Sequence, residues 1–126
     1  MIYTFTEDSP IYLQLAQLLK DDIFLGIYKE GTAIPSTTEL SVVLHINPAT
    51  VLKAMNILLQ EDLIEKKRGI GMFVKANAKK KITEERKNSF CSNYVAPLIK
   101  EAKKLSLSKN EIIEMINKEE SDEAWL

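Results

Sequence analysis

Two helix starts lie so close together that they dictate the local architecture between them. Ser36-Thr37-Thr38-Glu39 reads as a capping box, in which the Ser36 hydroxyl accepts from the Glu39 N–H while the Glu39 carboxylate reaches back. Asn47-Pro48 is the second start, an amide cap followed by a proline where no N–H is required. The first helix has room only for a short apolar set, Leu40, Val43 and Leu44, before His45-Ile46 must turn the chain. The second continues with Val51, Ala54, Met55, Leu58 and Leu59 at helical spacing, with Thr50, Lys53, Asn56, Gln60 and Glu61 on its polar side. Two helices joined this tightly describe a helix-turn-helix.

The flanks extend the pattern. Ser9-Pro10 is expected to cap and open an earlier helix with Ile11, Leu15, Leu18, Leu19 and Ile23 apolar, and Gly26 fits its C-terminal stop. Tyr28 to Pro35 reads as a connection with a short strand. Leu63 to Lys66 and Met72 to Lys75 read as strands around the turn Lys67-Arg68-Gly69-Ile70-Gly71. The order helix, helix, turn, helix, hairpin predicts a winged helix-turn-helix over residues 9–76, in a fold that is mainly α with one small β-hairpin.

Lys79-Lys80-Lys81 is expected in an exposed linker, with a helical pattern resuming at Thr83 and a kink or split near Pro97. Ser108-Lys109-Asn110-Glu111 is a second capping box, opening a helix with Ile112, Ile113, Met115 and Ile116 apolar. An acidic tail from Ser121 ends in Trp125-Leu126. The expected organisation is a DNA-binding domain at 1–76 and a short helical dimerisation region at 77–126.

Charge narrows the partner. The net formal charge of −1 argues by itself against a nucleic-acid binder, but its distribution does not. Residues 65–87 hold nine basic groups against three acidic ones, whereas residues 1–64 are net acidic. Such asymmetry points to a local anionic partner or to a solvated basic surface. The single Cys91 cannot form an internal disulfide, and with no signal-peptide pattern or long apolar run the expected location is cytoplasmic.

In a helix-turn-helix the second helix enters the major groove and its first residues reach base edges and phosphates. Candidates are therefore Ser36, Thr37 and Thr38 on the first helix, and Asn47, Ala49, Thr50 and Lys53 on the second. Ser36 and Thr50 suit phosphates, Ala49 a thymine methyl, and Lys53 a guanine or a phosphate. At the hairpin tip, Lys67 and Arg68 bring cations, and Gly69 and Gly71 permit close backbone approach.

The run from Ser9-Pro10-Ile11-Tyr12-Leu13-Gln14 to Gly71-Met72-Phe73-Val74 resembles the N-terminal domain of GntR-family bacterial regulators. The matching residues include Gly26 and Gly31, Ile34-Pro35-Ser36, Glu39-Leu40, Thr50-Val51 with Ala54, Leu58, Leu63-Ile64-Glu65 and Arg68-Gly69-Ile70-Gly71. The chain departs from the common pattern at Thr38, Pro48 and Leu52, where the family often has arginines that hold DNA. Asn47 to Ala54, with Lys53, instead resembles the YtrA branch. That resemblance implies a repressor binding a palindromic operator as a homodimer. It also implies that the apolar stripe Phe90, Tyr94, Leu98, Ala102, Leu105, Ile112 and Ile116 forms the dimer interface; folding of that stripe back onto its own domain is the alternative.

Expected partners are double-stranded DNA and a second copy of the chain. An unknown small-molecule effector stays open, and no membrane, cofactor or metal enters the reading. His45 suits a turn or phosphate-facing role, Cys91 has no partner for zinc or nucleophilic chemistry, and Asp21-Asp22 diverge on a helix as two solvated acids. An enzyme is not expected. A protein-interaction module using the winged scaffold and the basic segment remains an alternative. RNA binding is the weaker third reading, because surface aromatics for base stacking are not evident.

Overall fold

A computed structural model describes residues 3–120; the acidic tail from Ser121 lies outside the described residues. The order is α1 (Ile11–Phe24), α2 (Thr37–Leu44), α3 (Pro48–Gln60), β1 (Ile64–Lys67), β2 (Gly71–Val74), α4 (Ala78–Phe90), a π-helical turn (Cys91–Val95), α5 (Ala96–Lys104) and α6 (Lys109–Glu119). The helix-turn-helix and hairpin are thus present in the expected order, with each strand set one residue from its expected bounds. The chain divides into two compact units between Glu85 and Arg86.

The first unit is built on one apolar core. Leu15, Ala16, Leu19 and Ile23 of α1 meet Leu40 of α2 and Val51, Ala54, Met55 and Leu58 of α3. Ile34, Leu63, Ile64 and Val74 close it from the hairpin side, and Ala78 and Ile82 from α4. Burying a side chain of this size is worth about 1.5–3 kcal/mol. Two expected apolar positions, Ile11 and Val43, are exposed instead.

The start of α1 differs in detail from the sequence reading. Pro10 is the N-cap itself, and no side chain caps the helix. The tie comes from within the first turn. The Gln14 amide donates to the Ser9 and Thr6 carbonyls at 2.7 and 2.9 Å and accepts from the Thr6 N–H at 2.8 Å, pinning the arm that precedes the helix. Further along this arm, the Tyr3 hydroxyl donates to the Asp22 carboxylate. Burial, and then that bond, push the phenol above its usual range.

Two helices of this unit end alike. At α1, the Gly26 N–H donates to the Ile23 carbonyl and the Ile27 N–H to the Asp22 carbonyl; at α3, Asp62 donates to Leu59 and Leu63 to Leu58. These are paired 5→2 and 6→1 closures around a left-handed residue. Glycine fills that position at Gly26 (φ 80°), but Asp62 fills it at φ 60°.

The hairpin is antiparallel, with Ile64 opposite Val74 and Lys67 opposite Gly71. The expected strand in the connection is a single bridge, Ala33 to Phe73. Around it the Ile34 N–H donates to the Met72 carbonyl and the Val74 N–H to the Thr32 carbonyl, covering the outer edge of β2.

The triple lysine is exposed as expected, but it is not a linker. Asn77 takes φ 69° and α4 begins at Ala78, because Ala78 and Ile82 fall on one face and enter the core.

In the second unit, the Ser108–Glu111 capping box forms in both directions, at 3.1 Å each. Pro97 stands at the start of α5 and the π-helical turn precedes it. A proline lacks the N–H for an i→i−4 bond and its ring crowds the carbonyl four residues back. The turn absorbs both effects: the Ala96 N–H reaches back to the Cys91 carbonyl. The expected break at Pro97 is thus a local rewinding. Ala102 is the one buried side chain among this unit's described residues.

Candidate nucleic-acid interface

The geometry of the helix-turn-helix follows from its caps. Ser36 accepts from the Glu39 N–H at 3.1 Å, and the Ser36 N–H donates to the Glu39 carboxylate at 3.3 Å. At the far end of α2, His45 takes the left-handed conformation, φ 54°. The Ile46 N–H then donates to the Ser41 carbonyl, while the Ser41 hydroxyl donates to the Ile46 carbonyl at 2.6 Å. The turn is therefore His45-Ile46-Asn47. Asn47 Oδ1 accepts from the Ala49 N–H at 2.9 Å, and Pro48 occupies the first helical position.

These constraints present α3 in a definite way. Val51, Ala54, Met55 and Leu58 face the core. Ala49, Leu52, Lys53 and Asn56 are exposed and, at spacings of three and four, share one face. Asn47 is exposed and Thr50 half-buried. Part of the Asn47 amide is committed to capping, which leaves its Nδ2 as the outward donor. The Lys53 ammonium lies 5.5 Å from the centre of the Tyr12 ring, so an aromatic face on α1 orients the sole cation of α2 and α3. On α2, Thr38 is exposed, and Ser36 and Thr37 are half-buried at its start.

The hairpin tip supplies the second group. The Ile70 N–H donates to the Lys67 carbonyl at 2.9 Å, closing a turn with Arg68 and Gly69 at its centre. Gly69 takes φ 76°, the left-handed value that an L side chain resists at this position. Lys67, Arg68 and Gly69 are exposed, and Gly71 is half-buried at the start of β2. The Lys67 ammonium sits 4.4 Å from the centre of the Phe73 ring, which holds it beside the strand. All eleven residues singled out in the sequence thus lie in the first unit.

Two groups stand out within the basic segment. Lys75 and Lys81 converge on Asp62, at 2.5 and 2.9 Å. Bonds from Lys75 and then Lys81 pull the Asp62 carboxyl down from 3.8 to about 2. Those two cations hold α3, the base of the hairpin and α4 in register. Lys66, Lys67 and Arg68 project from the hairpin. The sequence marks Leu52 only as a departure from the family pattern and does not point to its exposed place on α3. It gives no sign of the Asp62 clamp, whose residues are far apart along the chain.

Among the described residues no helix is long and apolar enough to cross a membrane.

Residues 11–74 match the profile of the family described as bacterial regulatory proteins, gntR family. The HTH-type transcriptional repressor YtrA of Bacillus subtilis (strain 168) is 41% identical over 76 residues, which covers 60% of this chain and 58% of that protein. A solved GntR-family transcriptional regulator from Bacteroides thetaiotaomicron superposes with a TM-score of 0.73 at 38% identity, covering 86% of this chain and 94% of that one. The GntR-family transcription factor YtrA from Sulfolobus acidocaldarius gives a TM-score of 0.55 at 28% identity, covering 94% of each.

Proposed function

Since the chain belongs to the gntR family of bacterial regulatory proteins, we propose that it is a sequence-specific DNA-binding transcription regulator that represses its targets. The observation that carries this reading is the exposed face of α3, set by the Asn47 cap, in the same unit as an exposed cationic hairpin tip. The major groove admits such a helix, and a glycine-containing basic tip suits the adjoining backbone or minor groove. Thr38, Asn47, Ala49, Thr50 and Lys53 read or hold the groove. Ser36 and Thr37 support the phosphate contacts, and Lys67, Arg68, Gly69 and Gly71 form the second contact. Repression is carried over from the relative named as a transcriptional repressor.

The functional unit is a homodimer on a palindromic site, with residues 1–76 binding DNA and residues 77–126 pairing. Phe90, Tyr94, Leu98, Leu105 and Ile116 are between 44% and 66% exposed in the single chain, an apolar surface with little of its own unit to bury it. Ala102 and Ile112 complete the proposed interface.

A gel shift with duplexes selected from a randomised pool, titrated with salt, tests the DNA reading. Enrichment of a palindrome and a steep loss of affinity with salt are expected. Absence of binding to any duplex at low salt would overturn it. Sedimentation of Leu98→Glu/Ile116→Glu tests the pairing, with a shift from dimer to monomer expected.

A further inference from the structure

We propose that Leu52 reads a thymine methyl group and so sets base preference in each half-site, an inference that rests on the DNA-binding reading above. Leu52 is 47% exposed and lies on the face of α3 that also carries Ala49, Lys53 and Asn56. An exposed leucine is ordinary in itself. Its position makes it informative, because this face is the one turned away from the core in the helix assigned to the major groove.

The occupant follows from chemistry. A leucine set against a phosphate would strip water from the anion and offer no hydrogen bond in return. Set against the N and O atoms of a base edge it would leave them unpaired. The thymine C5-methyl is the apolar group on the base edges of the major groove. Leu52 is therefore complementary to thymine and not to guanine or to adenine. Its neighbours differ in kind: Lys53 offers a cation held against Tyr12, and Asn56, one turn on, offers a donor and an acceptor. Leu52 thus brings apolar recognition to a face whose longer side chains are polar.

The probe is the tightest duplex recovered by the wild-type protein from a randomised pool. Each thymine is replaced singly by deoxyuridine, which removes the methyl and keeps every hydrogen-bonding group. At one position per half-site, distinct from any that faces Ala49, the replacement is expected to weaken binding about fourfold, the worth of one apolar carbon leaving contact. In Leu52→Ala, checked for folding by circular dichroism, the same replacement is expected to change nothing. Selection repeated with Leu52→Arg is expected to exchange that thymine for guanine. Neutral replacements at every thymine, or losses that all persist in Leu52→Ala, would overturn the assignment to Leu52 while leaving DNA binding intact. A pool that yields no enriched duplex would overturn the DNA-binding reading itself.

Discussion

The Lys20 ammonium lies 2.7 Å from the Glu61 carboxylate, joining the apolar side of α1 to the end of α3. Lys20 is 6% exposed and sits among core residues, whereas Glu61 keeps partial contact with water. Removing the acid leaves a buried cation, with only the more distant Glu85 carboxylate at 3.5 Å. Glu61→Ala is therefore expected to destabilise the first unit by about 2–4 kcal/mol, while Lys20→Met costs little because an apolar chain of similar length fills the same space. Urea denaturation of both variants checks this; equal losses would contradict it.

Asp62 links stability to acid. Its carboxyl titrates at about 2 in the folded protein, against 3.8 normally. A depressed carboxyl contributes stability that is full above the unfolded value and lost as pH falls toward the folded one. Thermal midpoints should fall between about pH 5 and pH 2, less steeply in Asp62→Asn, which keeps a side chain tolerant of the left-handed backbone. Identical slopes in the two proteins would show that the clamp contributes nothing.

Asn47 has two separable tasks. Asn47→Ala is expected to lose about 1 kcal/mol through the missing cap. Asn47→Asp keeps the cap and the stability but places a carboxylate at the DNA-facing end of α3, so operator affinity should fall while the melting temperature holds. Parallel melting curves and gel shifts separate the two effects.

Arg68 should be visible in salt dependence. Arg68→Ala at the hairpin tip is expected to weaken operator binding and to reduce the slope of log affinity against log salt by about one. Unchanged affinity and slope would remove the tip from the interface.

What the sequence disclosed was local. The Ser36–Glu39 and Ser108–Glu111 boxes and the Asn47 cap each lie within a few residues, and each formed as read. The glycine-rich hairpin tip was equally legible. Ser9 misled because capping depends on where the helix starts, and here Gln14 reaches back instead. Lys79-Lys80-Lys81 masked the start of α4, since the signal lay in Ala78 and Ile82 on either side. The Lys20–Glu61 and Asp62–Lys75–Lys81 pairings join residues distant in sequence, so no spacing rule announces them. Leu52 was legible only as a departure from the family pattern; its place on the outward face of α3, apart from the core leucines beside it, is what the fold adds.

Pro97 has a further consequence for the helix that contains it. The π-helical turn before it holds five residues in less rotation than an α-helix would use. Pro97→Ala restores the missing donor and lets the segment rewind as regular α-helix. Everything after it would then turn by about 100° relative to what comes before, one residue's worth of helical phase. Leu98 and Leu105 would then stand about 80° and 60° round the helix from Phe90, broadening the stripe where the π-helical turn holds it nearly in line. A single imino acid thus sets the width of the stripe, and with it how squarely its apolar side chains can meet a neighbour.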